Sequence, residues 1–211
     1  LLYIKTHTKT KIMKKNLITT CLFIAVAMTA QAQIVKFGIK GGVNYANQTG
    51  TEITVNSTNY KSEAITNYHF GLVAEFPLGN TFAIQPELLY STVGANYKQS
   101  GMMLYYAGTS SIITDFNNKL GYITIPVLAK INLSKVFSLD LGPQASFLLS
   151  KKNDVSINDT KSFDFGAAAG LGIKITKGIF IQGRYVVGLS EVSTSAKAKN
   201  SVLQVSAGFF F

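Results

Sequence analysis

The stretch Asn200–Phe211, N-S-V-L-Q-V-S-A-G-F-F-F, decides how the rest of the chain is read. Side chains alternate across a strand with period two. Leu203, Val205, Ala207, Phe209 and Phe211 therefore share one face, and Val202, Gln204, Ser206, Gly208 and Phe210 share the other. One face is wholly apolar and the other is mixed. A strand that closes a transmembrane β-barrel has this pattern, because lipid meets one side and the lumen the other. The expectation is that seven earlier stretches repeat it.

Seven stretches alternate in the same way: 34–46, 68–76, 81–97, 119–133, 136–150, 162–176 and 179–190. In the first, Lys36 and Lys40 oppose Phe37, Ile39 and Val43, and two lysines on one face prefer water. In the third, Pro86 has no N–H for a ladder, which counts against a regular strand there unless it sits at a bulge. The links alternate in length. Polar loops are expected at 47–67, 98–118, 151–161 and 191–199, and tight turns at Pro77–Asn80, Ser134-Lys135 and Lys177-Gly178, the last a two-residue hairpin. Outer-membrane barrels show this asymmetry, with short periplasmic turns and longer extracellular loops. A soluble sandwich has no reason to alternate so regularly. The fold class read from the sequence is all-β, an eight-stranded antiparallel up-and-down transmembrane β-barrel with both termini on the short-turn side.

Composition agrees. Charged residues are 14% of the 211-residue chain and hydrophobic residues 47%, against about 25% charged in ordinary soluble domains. No apolar run reaches the roughly 20 residues of a spanning helix. The formal charge of +10 overstates the basic character. Five of the twenty Lys+Arg precede the first apolar run, leaving fifteen against ten Asp+Glu, or about +5 from Gln33 onward. No dense basic cluster remains, which argues against nucleic acid as a partner.

The amino-terminal region reads as a secretory signal. Met13-Lys14-Lys15-Asn16 is a short positive region, Leu17–Met28 an apolar core, and Ala30-Gln31-Ala32 a small-x-small cleavage site. The expected organisation is 1–12 as an upstream extension of the coding start, 13–32 as the signal peptide and 33–211 as the barrel domain. Cys21, the chain's one cysteine, falls inside the apolar core. The mature domain then has neither disulfides nor thiolate metal sites, and no cofactor is expected.

With the apolar faces on lipid, Glu75, Gln85, Glu87, Lys130, Asp140, Gln144, Asp164, Lys174, Gln182 and Arg184 point inward. An eight-stranded barrel is just wide enough for side chains to fill it. Unpaired charge there is costly, so these residues are expected to form a paired polar network, with Glu75 and Glu87 as partners for Lys130 or Arg184. A narrow ion path is the alternative. An outer-membrane hydrolase is a further alternative, but His69, the one histidine after residue 32, has no G-x-S-x-G or Ser–Asp cluster to act with. The expected role is non-enzymatic. The loops, rich in Asn, Ser and Thr, offer Tyr105-Tyr106 as an aromatic contact for an unidentified protein or surface glycan. Outer-membrane lipid is the expected surrounding, and the terminal Phe211 the expected signal to the barrel-assembly machinery.

The segments F-G-I-K-G-G-V-N at 37–44, Y-I-T-I-P-V-L-A-K at 122–130, L-D-L-G-P-Q-A-S-F-L-L at 139–149 and G-R-Y-V-V-G-L-S at 183–190, taken in order after a signal peptide, resemble the PorT-like outer-membrane β-barrel proteins of Bacteroidetes. The resemblance implies an eight-stranded barrel integral to the outer membrane and supplies no reaction. Members often carry an acidic residue where this chain has Thr124. PorT itself is linked to type IX secretion, which makes an accessory role in secretion another alternative; fold resemblance alone does not transfer it.

Overall fold

The structure, a computed structural model, describes residues 35–49, 53–55, 58–99, 115–153, 161–191 and 199–211. The chain divides into residues 1–34 and a compact unit, Val35–Phe211. The expected extension, signal peptide, Cys21 and the Tyr105-Tyr106 contact lie outside the described residues.

The strands are β1 (Lys36–Thr49), β2 (Ile53–Val55), β3 (Thr58–Leu78), β4 (Phe82–Gln99), β5 (Asp115–Asn132), β6 (Phe137–Asn153), β7 (Phe163–Lys174), β8 (Ile179–Gly188) and β9 (Lys199–Phe210). Sequential strands pair antiparallel from β3 to β9, and β1 pairs with both β3 and β9. Eight strands thus close into a barrel, with β2 a short addition paired to β3. The seam matches Gly38 with Phe210 and Val43 with Val205, and Phe211 N–H donates to Phe37 O at 2.8 Å. Closure leaves no open edge to face lipid.

Alternation sorts the two faces. On β9, Leu203, Val205 and Phe209 are 45–50% exposed, while Val202, Gln204 and Ser206 are 2–4% exposed. Phe37, Ile39, Leu72, Leu141, Leu171 and Ile181 extend the outward apolar band around the wall. A soluble protein does not expose so large a continuous apolar surface, and hydrocarbon is the solvent that accepts it.

The short turns hold their ends by local chemistry. Ser134 Oγ accepts from the N–H groups of Val136 and Phe137, and Thr176 Oγ1 from those of Gly178 and Ile179. The expected two-residue hairpin is therefore a longer turn over residues 175–178, closed by Ile175 N–H to Ile179 O at 2.9 Å. Gly79, with φ of +83°, turns β3 into β4.

Three strand expectations need correction. Much of 47–67 is strand and not loop: β1 runs to Thr49 and β3 begins at Thr58. The same holds at 98–118, where β4 reaches Gln99 and β5 begins at Asp115, and β6 runs on to Asn153. Beyond the hydrocarbon both faces of a strand are wet, so the ladder continues without apolar alternation. Pro86 causes no bulge. The β4 ladders skip pairs around it without a change of register, and the register shifts fall instead between Ala64 and His69 and between Gly121 and Tyr122.

Candidate functional site in the lumen

Inward side chains from alternate strands meet in the barrel's interior. Glu87 on β4 is the centre of the largest group. Arg184 on β8 grips it with both ends of the guanidinium, Nη1 to Oε2 at 2.9 Å and Nη2 to Oε1 at 2.6 Å. Lys40 Nζ lies 3.2 Å from each carboxylate oxygen, and Gln85 Nε2 donates to Oε1 at 2.7 Å. Gln182 links onward. Its Oε1 accepts from Arg184 Nη2 at 2.9 Å and from Lys40 Nζ, and its Nε2 donates to Asp140 Oδ2. Glu87, Lys40 and Arg184 are 3%, 3% and 1% exposed. A carboxylate held so far from water is stable only with such charge-assisted partners.

β4 and β8 stand four strands apart in the ring of eight, on opposite walls. The Arg184–Glu87 pair therefore spans the lumen. Most other links join strands two apart. Lys130 on β5 reaches Glu75 on β3 at 3.0 Å, and Lys36 meets the other oxygen of Glu75 at 2.9 Å. Below them Phe180 and Phe210 stack at 4.9 Å, with Val73 against them, and floor the lumen at the short-turn end. Toward the long-loop end, Asp164 on β7 accepts from Asn200 Nδ2 on β9 at 2.7 Å and from Ser190 Oγ. Val93, Leu120, Tyr122, Val186 and Val202 pack around that level.

Between the levels, His69 on β3 bridges to Asn44 Oδ1 at 2.7 Å through Nδ1 and to Ser206 Oγ at 2.8 Å through Nε2. Asn44 Nδ2 donates to Ser91 Oγ and Thr92 O, so Asn44 Oδ1 is an acceptor. His69 Nδ1 then carries the proton and Nε2 accepts from the serine. This Ser–His–Asn set is invisible along the chain, because Ser206 lies 137 residues from His69. The arrangement has a nucleophile's geometry without a nucleophile's access: Asn44, His69 and Ser206 are all buried. An acyl group has no room to approach Ser206 Oγ.

Of the residues expected inside, Glu75, Gln85, Glu87, Lys130, Asp140, Gln182 and Arg184 join as pairs or the central cluster, and Asp164 forms its own group. Gln144 is inside, but its Oε1 has no hydrogen-bond partner, and Lys174 is only half-buried at the end of β7 and bridges none of the four acids. Lys40 corrects the expectation that it prefers water. It is a member of the central cluster, because the closed ring brings Glu87 to it. Asn44, Asn200 and Ser206 are the residues the sequence reading missed; their inward parity was the available signal. Beside Gln144 and Asp164 lies a cavity of about 20 Å³, enough for a single water. Gln85 Oε1, Asp140 Oδ1 and Arg184 Nε also lack protein partners.

Residues 30–194 match the family described as outer membrane protein beta-barrel domain. Among solved structures, Neisserial surface protein A is 13% identical, with 85% of this chain and 100% of that one covered and a TM-score of 0.51. The outer-membrane protein OprG of Pseudomonas aeruginosa is 10% identical, with 83% and 95% covered and a TM-score of 0.50. At these identities the likeness is one of fold. No curated protein matches the sequence.

Proposed function

The chain belongs to the outer membrane protein beta-barrel domain family and is integral to the outer membrane, and from that premise we propose that it is a non-enzymatic barrel with a side-chain-filled lumen, working as a structural or loop-mediated interaction protein. The Lys40–Glu87–Arg184 cluster carries this reading, because it crosses the lumen from wall to wall with both cations held on one carboxylate. A sealed bore leaves the loops, and any protein or glycan they contact, as the place for specificity. The motifs at 37–44, 122–130, 139–149 and 183–190 support a finer placement among PorT-like barrels of Bacteroidetes.

Reconstituted in planar bilayers, the protein is expected to give no steady conductance. A stable, sizeable current would replace the sealed reading with a channel. A narrow conduit is the second reading, and the unpartnered Gln85 Oε1, Asp140 Oδ1 and Arg184 Nε favour it as positions for ordered water. Its signature is a small current that rises in Arg184→Gln.

A further inference from the structure

The outer wall carries a second constellation, on the lipid side. Tyr68 and Phe70 of β3 and Tyr90 of β4 pack with ring centroids 5.6 to 6.4 Å apart. The ammonium of Lys119, exposed on β5, stands 5.8 Å from the Tyr68 ring centroid, within cation–π reach. Lys119 lies toward the long-loop end of the wall, where a barrel meets the outer leaflet. In register its neighbours are Gly94 on one side and Lys152 on the other.

Beside the rings the wall is hollow. Phe70 is the register partner of Gly41, and Gly41 of Ala207, so two of the smallest residues stand side by side on an otherwise bulky face. They leave a furrow of about 710 Å³ bordered by Ile39, Leu72, Phe70 and Phe209, within the roughly 300–1,000 Å³ of ligand sites. Phe70 belongs both to the furrow and to the aromatic group beneath Lys119. The surface thus offers an apolar trough, an aromatic rail and a cation at the headgroup end. A membrane already supplies acyl chains for the trough, and the cation selects among their headgroups.

We propose that this wall binds a phosphorylated glycolipid of the outer leaflet, of the lipid A class, with an acyl chain in the Gly41–Ala207 furrow and a phosphate on Lys119. Only the outer-membrane location is needed; the state of the lumen does not enter. Native mass spectrometry of the refolded barrel in detergent, titrated with monophosphoryl lipid A, phosphatidylglycerol or phosphatidylcholine, tests it. Monophosphoryl lipid A is expected to bind most tightly. Lys119→Gln should weaken it about five-fold, the worth of one lysine at an anionic surface, and leave phosphatidylcholine unchanged. Gly41→Leu should fill the furrow and lower all three, with folding checked by the heat-dependent gel shift. Equal binding of the three lipids would overturn the proposal, as would Lys119→Gln without effect. Phosphatidylglycerol matching lipid A would overturn the glycolipid assignment.

Discussion

Glu87→Ala is expected to destabilise the barrel by about 3–5 kcal/mol, the cost of breaking a buried ion pair from one side. Removing the carboxylate leaves Lys40 Nζ and Arg184 Nη2 with only the neutral Gln182 Oε1 as acceptor and takes the counter-charge from two cations, each at most 3% exposed. The loss should appear as a lower urea midpoint for the folded, fast-migrating form on an unheated gel. The triple variant Lys40→Met, Glu87→Met, Arg184→Met separates the cost of an orphaned charge from the worth of the cluster. It removes all three charges together and is expected to recover most of the stability, since buried ion groups are often replaceable by apolar residues of similar volume. A Glu87→Ala barrel as stable as the wild type would mean that water reaches these charges freely, and the sealed lumen would have to be abandoned.

Gly42→Ala carries the second large effect, with Gly41→Ala as its control one residue away. A Cβ at Gly42 would lie 2.0 Å from Val205 O and 2.7 Å from Ser206 Cα, both backbone atoms of β9. The strand can make room only by parting from its neighbour at the seam that closes the barrel. Gly42 is also the register partner of both His69 and Ser206, whose side chains bond to each other past it. The expected cost exceeds the roughly 1–3 kcal/mol of ordinary overpacking, and little heat-shiftable protein should be recovered. At Gly41, on the outward face, the nearest atoms to a Cβ are His69 O at 3.5 Å and Phe70 Cβ at 3.6 Å. Alanine fits there, and stability should stay within about 0.5 kcal/mol of the parent. Similar refolding yields for the two variants would contradict the close approach of β1 and β9.

The architecture was legible because lipid imposes a simple code. An outward residue must be apolar, an inward one need not be, and period two follows along each membrane-crossing strand. That code ends at the membrane surface, which is why Thr58–Asn67 gave no strand signal although it continues β3. Inside the lumen, parity tells which residues face inward but not which of them meet. Charge made Glu75 and Glu87 partners for Lys130 or Arg184 without telling which acid meets which base. Lys40 with Glu87, or Ser206 with His69, depends on the stagger of the closed ring, which no single strand records. The outward trough at Gly41 and Ala207 was hidden for the same reason, since their adjacency exists only across the seam.

The brace between opposite walls also bears on assembly. Glu87 and Arg184 lie 97 residues apart in the chain and stand on opposite walls. No hairpin or partial sheet can bring them together, because their meeting requires the ring to be complete. A ring of seven strands, or one slipped by a residue pair at the seam, would set Glu87 facing the wrong partner. The charged cluster therefore counts strands. Only the eight-membered, correctly staggered ring brings Arg184 onto Glu87, so an incomplete barrel is left with that guanidinium uncompensated in its interior and every incentive to reopen.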